Sequence, residues 1–144
     1  NHTPTVGVPQ RLDGPYHIND NEKGVTIEEG VWIGTRVTFL SGAHVGRGAV
    51  IGAQSLVNKE IPPYAVAVGS PAKVIASVFT IEQIMEHERR LYKPDERFSR
   101  EYLEGLFAKY YEGKKSIGKS EMSEEDRNKI KKAASQLYNH IVVD

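Results

Sequence analysis

The chain has 144 residues, with 19 Lys and Arg balancing 19 Asp and Glu, and it contains no cysteine. Zero net charge gives no general electrostatic reason to expect nucleic acid or an anionic membrane as partner, and the missing cysteines exclude a disulfide framework, a thiolate zinc site and a cysteine nucleophile. No apolar run approaches the ~20 residues of a membrane span and no signal peptide is visible, so the expected location is a reducing cytoplasm.

Residues 1–24 carry Pro4, Pro9, Pro15, Gly7, Gly14 and Gly24 among polar residues and read as a long loop entering a repetitive segment. From residue 25 to 60 the chain falls into six consecutive hexads. Large apolar side chains recur at Ile27, Ile33, Phe39, Val45, Ile51 and Val57, and two positions earlier comes a small or β-branched set, Val25, Val31, Val37, Ala43, Ala49 and Ser55. The period is neither the two of an alternating strand nor the 3.6 of an amphipathic helix. A repeat of six with Gly30, Gly34, Gly42, Gly46, Gly48 and Gly52 predicts short flat strands joined by tight corners, three hexads making one triangular coil of about 18 residues. The fold class expected is therefore mainly β, a solenoid with the repeated large residue stacked inward. Two coils alone would leave an apolar solenoid end open, and with the opening on Asn1 this suggests that upstream coils belong to the protein.

After the last hexad, the run IPPYAVAVGSPAKVI contains Pro62, Pro63, Gly69 and Pro71 and is expected to form an irregular final rung. From Thr80 the pattern turns helical. Ile81, Ile84, Met85 and Leu91 share one face of a segment ending before Pro94; a second helix is predicted from Ser99 to about Glu112, with Tyr102, Leu103, Leu106, Phe107 and Tyr110; a third begins at Ser123, where Ser123 and Asp126 resemble a capping box, with Ile130, Ala134, Leu137 and Ile141 on one stripe. GKKSIGKSEM between the last two reads as a polar linker. The division expected is a β-helix domain over 1–76 and an α-helical C-terminal extension over 77–144.

The hexads together with Trp32-Ile33-Gly34, Ile51-Gly52-Ala53, Asn58-Lys59-Glu60-Ile61-Pro62-Pro63 and Gly69-Ser70-Pro71-Ala72-Lys73-Val74-Ile75 resemble the hexapeptide-repeat acyltransferases, most closely the branch of galactoside, maltose and capsular-polysaccharide O-acetyltransferases. The resemblance covers about residues 1–76; the helical remainder carries none. It implies a left-handed parallel β-helix, against the usual right-handed crossover preference, assembled as a homotrimer with acetyl-CoA in the cleft between subunits. It also implies roles for individual residues. Asn1-His2-Thr3-Pro4 matches the element that carries the general base, His2. Thr35 falls where the cofactor's thioester end is contacted, Ala53, Asn58 and Lys59 fall along the pantetheine arm, and Lys73 falls near the nucleotide phosphates. Trp32, read from its own chemistry, is a candidate for stacking on the acceptor or the acyl arm, or for filling a subunit interface. Lys73 stands where the family more often has Arg, and Ala76 replaces a second basic residue, so the phosphate contacts are expected to be weaker or to come from Arg36, Arg47 or a neighbouring chain.

The chemistry suits these residue types. A sugar hydroxyl is a poor nucleophile at neutral pH, and an imidazole titrating near 6.5 can take its proton as the oxygen attacks a thioester carbonyl. Transfer is then direct, in keeping with a chain that has no cysteine to carry an acyl group. The expected activity is acetyl-CoA-dependent O-acetylation of a sugar or surface-polysaccharide hydroxyl, with N-acetylation of an amino sugar and a noncatalytic β-helix scaffold as the alternatives. His17, His44, His87 and His140 read as solvated or structural, His44 at a coil corner pointing outward. The histidines are scattered and none has short ligand spacing on adjacent rungs, so no metal is expected and a zinc-dependent anhydrase reading is set aside.

Overall fold

A computed structural model describes residues 6–13 and 23–137. The chain divides into two compact units, residues 1–75 and 76–144. In the first unit, where the sequence predicts only loop, Gln10–Asp13 forms one helical turn, α1. Seven two-residue strands then precede two longer ones: β1 (Thr26–Ile27), β2 (Trp32–Ile33), β3 (Thr38–Phe39), β4 (His44–Val45), β5 (Val50–Ile51), β6 (Leu56–Val57), β7 (Glu60–Ile61), β8 (Ala65–Val68) and β9 (Lys73–Ser77), the last running across the boundary between the units.

Each of the strands β1 to β5 pairs in parallel with the third one after it, which gives the sheets β1-β4-β7, β2-β5-β8-β9 and β3-β6. Thr26 pairs with His44, Trp32 with Val50 and Thr38 with Leu56, so one coil takes 18 residues, as the hexads predict. The parallel pairings of β1 to β8, wound in this order over three faces, form a parallel β-helix. The second residue of each short strand points inward: Val45, Ile51 and Val57 are fully buried, and Ala43, Ala49 and Ser55 fill the corners beneath them. Ile27 and Ile33 belong to the first coil, with a neighbour on one side only among the described residues, and they remain 42% and 39% exposed.

The backbone turns each corner of the two regular coils with one residue at positive φ, and these recur every sixth position: Gly24, Gly30, Arg36, Gly42, Gly48 and Gln54. Four of the six are glycine, as this conformation favours. Gly34 is required for another reason. A Cβ there would sit 2.5 Å from Ala53 N, so successive coils approach too closely for any side chain.

The third coil departs from the hexad count, which the sequence reading carries through residue 60. Only Asn58 and Lys59 separate β6 from β7, and the pairs His44 with Glu60 and Val50 with Val66 set the register at 16 residues instead of 18. The proline-rich run from Ile61, expected as an irregular final rung, does form a rung: it completes β7 and supplies β8. On the third face the strand is replaced by Gly69–Ala72, whose Gly69 O accepts from Leu56 N (3.0 Å) and whose Ala72 N donates to Leu56 O (2.8 Å), with a cis Ser70–Pro71 bond between them.

In the second unit three helices start where the sequence places their caps. In α2 (Ile81–Leu91) Thr80 and Gln83 bond reciprocally, the Thr80 hydroxyl accepting from Gln83 N and the Gln83 amide oxygen from Thr80 N. In α3 (Arg100–Tyr110) the Ser99 hydroxyl accepts from Tyr102 N, and in α4 (Glu124–Leu137) the Ser123 hydroxyl accepts from Asp126 N. Ile84, Leu103, Leu106 and Tyr111 form the buried core. Residues 113–122 are more than the polar linker the composition suggests. Ser77 N donates to Lys115 O, Ile117 N to Ser77 O and Gly118 N to Val78 O, and the hydroxyls of Ser77 and Ser116 lie 2.6 Å apart.

Candidate active site

The 18-residue coil brings Thr35 and Ala53 onto one corner column, one rung apart, because 53 − 35 equals the coil length. Gln54 N donates to Thr35 O (2.9 Å), and both Thr35 and Ala53 are exposed. The Thr35 N–H makes no hydrogen bond among the described residues. Asn58 and Lys59 occupy a different corner, the shortened one between β6 and β7, and are also exposed. These two corners border the same face of the prism, that of β3 and β6. Lys73 opens β9 directly after the Gly69–Ala72 segment that completes this face. The positions expected to hold a cofactor therefore surround one face, split over its two edges and its far end.

The side chains suit an anionic, extended ligand. Neither the Lys59 nor the Lys73 ammonium has an ion-pair partner among the described residues, and both are exposed, so each is available to a phosphate without breaking an existing pair. Trp32 lies on the neighbouring face, at the start of β2, with 61% of its surface exposed. His2, the expected base, lies outside the described residues.

His44 is not at a corner, as the sequence suggests, but is the first residue of β4, pointing outward between Thr26 and Glu60 in register. Its Nε2 lies 2.7 Å from Glu28 Oε1, while Glu28 Oε2 accepts from Arg47 N (2.9 Å). The sequence reading misses Glu28. The signal was the separation of 16 residues, which carries a side chain just past one strand back to the next coil. In the second unit, burial holds the His87 imidazole below its ordinary pKa, against a smaller upward pull from Glu88, and its ring packs on Phe79 at 5.1 Å. No group of three potential metal ligands occurs among the described residues, and no described helix is long and apolar enough to cross a membrane.

Residues 24–59 match the model of the bacterial transferase hexapeptide (six repeats). Chloramphenicol acetyltransferases of Klebsiella aerogenes and Morganella morganii are each 50% identical over 54 residues, 38% of this chain and 26% of theirs. The chain thus spans about a quarter of the length of these curated relatives. Among solved structures, a hexapeptide-repeat acetyltransferase of Vibrio cholerae complexed with acetyl-CoA aligns at 29% identity and a TM-score of 0.44, covering 56% of this chain and 40% of that one. A galactoside acetyltransferase in complex with coenzyme A aligns at 30% identity and 0.42, covering 69% of this chain and 44% of the other. A six-residue sequence period, an 18-residue parallel register and a match to the bacterial transferase hexapeptide model coincide over residues 24–59.

Proposed function

We propose that the protein is an acetyl-CoA-dependent O-acetyltransferase acting on a sugar or surface-polysaccharide hydroxyl. The observation that carries this reading is the β3-β6 face, flanked by exposed Thr35 and Ala53 on one edge and Asn58 and Lys59 on the other, and closed by Lys73, within the coils that match the transferase family. In this reading the β-helix is left-handed, it assembles as a homotrimer in the cytoplasm, and residues 77–144 are its α-helical C-terminal extension. Acetyl-CoA lies along the face with its thioester toward Thr35 and its phosphates toward Lys73. Trp32 flanks the acceptor.

His2 takes the proton of the acceptor hydroxyl as its oxygen attacks the thioester carbonyl. The Thr35 N–H, which has no partner among the described residues, donates to the oxyanion. When the C–S bond breaks, the imidazolium returns its proton to the leaving thiolate, so one acetyl group and one proton change places and no metal is needed.

The test is thiol release from acetyl-CoA by the protein that carries this chain, with neutral sugars, amino sugars, capsule oligosaccharides and chloramphenicol as acceptors. Release dependent on a hydroxyl-bearing sugar supports the reading. Release only with amino sugars would replace it by N-acetylation, release only with chloramphenicol would move the acceptor outside sugars, and no release together with no binding of acetyl-CoA would favour a scaffold.

A further inference from the structure

The six corner residues with positive φ in the regular coils form three columns along the prism. Two columns use glycine at both regular rungs, Gly30 with Gly48 and Gly24 with Gly42; the third uses Arg36 and Gln54. A left-handed backbone is unfavourable for a side chain with a Cβ, and glycine would relieve it at no cost in contacts, since both side chains are exposed and neither makes a hydrogen bond or ion pair among the described residues. Two strained, long, polar side chains with no structural partner thus stand together on one corner, directly after Thr35 and Ala53. Nothing in the packing of the coil requires them there.

We infer that Arg36 and Gln54 are specificity residues that receive an anionic group of the acceptor, a sugar carboxylate, beside the reacting centre. The inference rests on the transferase reading. Position along the prism decides which anion is meant. Parallel rungs are about 4.8 Å apart, so the Arg36 corner lies roughly 10 Å, two rungs, from the Gly69 corner that leads to Lys73. The cofactor's phosphates belong at the Lys73 end, and the guanidinium at the Thr35 end faces whatever approaches the thioester. A guanidinium pairs a carboxylate through two parallel N–H donors, and the Gln54 amide one rung away adds a further donor to the same group.

A matched pair of acceptors tests this: p-nitrophenyl β-D-glucuronide and p-nitrophenyl β-D-glucoside, which differ only in the carboxylate. Equilibrium binding of each is measured beside acetyl transfer, for the wild type, Arg36→Gly, Arg36→Lys and Gln54→Gly. The wild type is expected to bind the glucuronide at least ~10-fold more tightly. Arg36→Gly should abolish that preference while leaving glucoside binding, acetyl-CoA affinity and thermal stability unchanged or, for stability, raised; Arg36→Lys should keep part of it, and Gln54→Gly should lose part of it. Equal affinity of the wild type for the two glycosides would overturn the inference, and so would a loss of acetyl-CoA affinity in Arg36→Gly, which would assign the guanidinium to the cofactor. Because the preference is read in binding, it stands or falls even if neither glycoside is acetylated. Failure of acetyl-CoA itself to bind would instead remove the transferase reading beneath it.

Discussion

The Tyr64 ring lies directly over Gly48, so that a Cβ on the glycine would collide with Tyr64 Cε1, and Gly48 also holds a φ of +68°. Gly30 is in the same column with a φ of +70°, but its nearest neighbour to a Cβ would be 3.9 Å away. Alanine at Gly30 should therefore cost only the backbone strain, about 1–2 kcal/mol, whereas alanine at Gly48 should cost about 2–4 kcal/mol because a fully buried ring must also move. Denaturant unfolding followed by the fluorescence of Trp32, the single tryptophan, reads the β-helix unit and gives the difference between the two variants.

Glu88 is 1% exposed in α2, and its Oε2 accepts from Phe98 N at 2.6 Å, tying the end of one helix to the entry of the next. Glu88→Ala leaves that part-buried N–H without its acceptor and opens a cavity where the buried Glu88 side chain was, for an expected loss of about 2–4 kcal/mol. Glu88→Gln keeps an acceptor oxygen and should lose less. Helical circular dichroism through a urea titration checks both.

Burial lowers the His87 pKa below its ordinary 6.5 in the folded chain. The unfolded state then binds the proton more readily, so this residue's contribution is fully present above pH 6.5 and is lost as pH falls below it, toward the folded value. Stability of the helical unit should drop in that window. His87→Phe should flatten the slope there; an unchanged slope would assign the drop to other groups.

Lys73 has no ion-pair partner among the described residues, so its removal should leave the coil intact and act on ligand binding alone. Lys73→Ala is expected to raise KM for acetyl-CoA about tenfold with kcat at saturation little changed. Steady-state kinetics with acetyl-CoA varied at fixed acceptor makes the comparison, and an unchanged KM would remove the phosphate role.

Most of the β-helix was legible because each rung repeats the same physical demand. One large inward residue and one small residue two places earlier recur at every coil, and an 18-residue coil alone puts Thr35 beside Ala53. The corner glycines were legible too, but Arg36 and Gln54 hide the same conformation under residue types that do not advertise it. The shortened corner at Asn58 and Lys59 was missed because the hexad pattern can be counted through it, and only the pairing of His44 with Glu60 shows that two residues have been dropped. The sequence places His44 at a corner; its strand position and its bond to Glu28 depend on the neighbouring coil. The caps of α2, α3 and α4 are local and were visible, while the pairing of Ser116 with Ser77 spans 39 residues and composition carries no trace of it.

The central claim is most directly tested at His2. Turnover of acetyl-CoA with a saturating sugar acceptor is compared between the wild type and His2→Ala, alongside the equilibrium affinity of each for acetyl-CoA. A fall in kcat of ~10²-fold or more with unchanged affinity is the predicted result. Undiminished turnover, or a loss of cofactor affinity equal to the loss of rate, would contradict it.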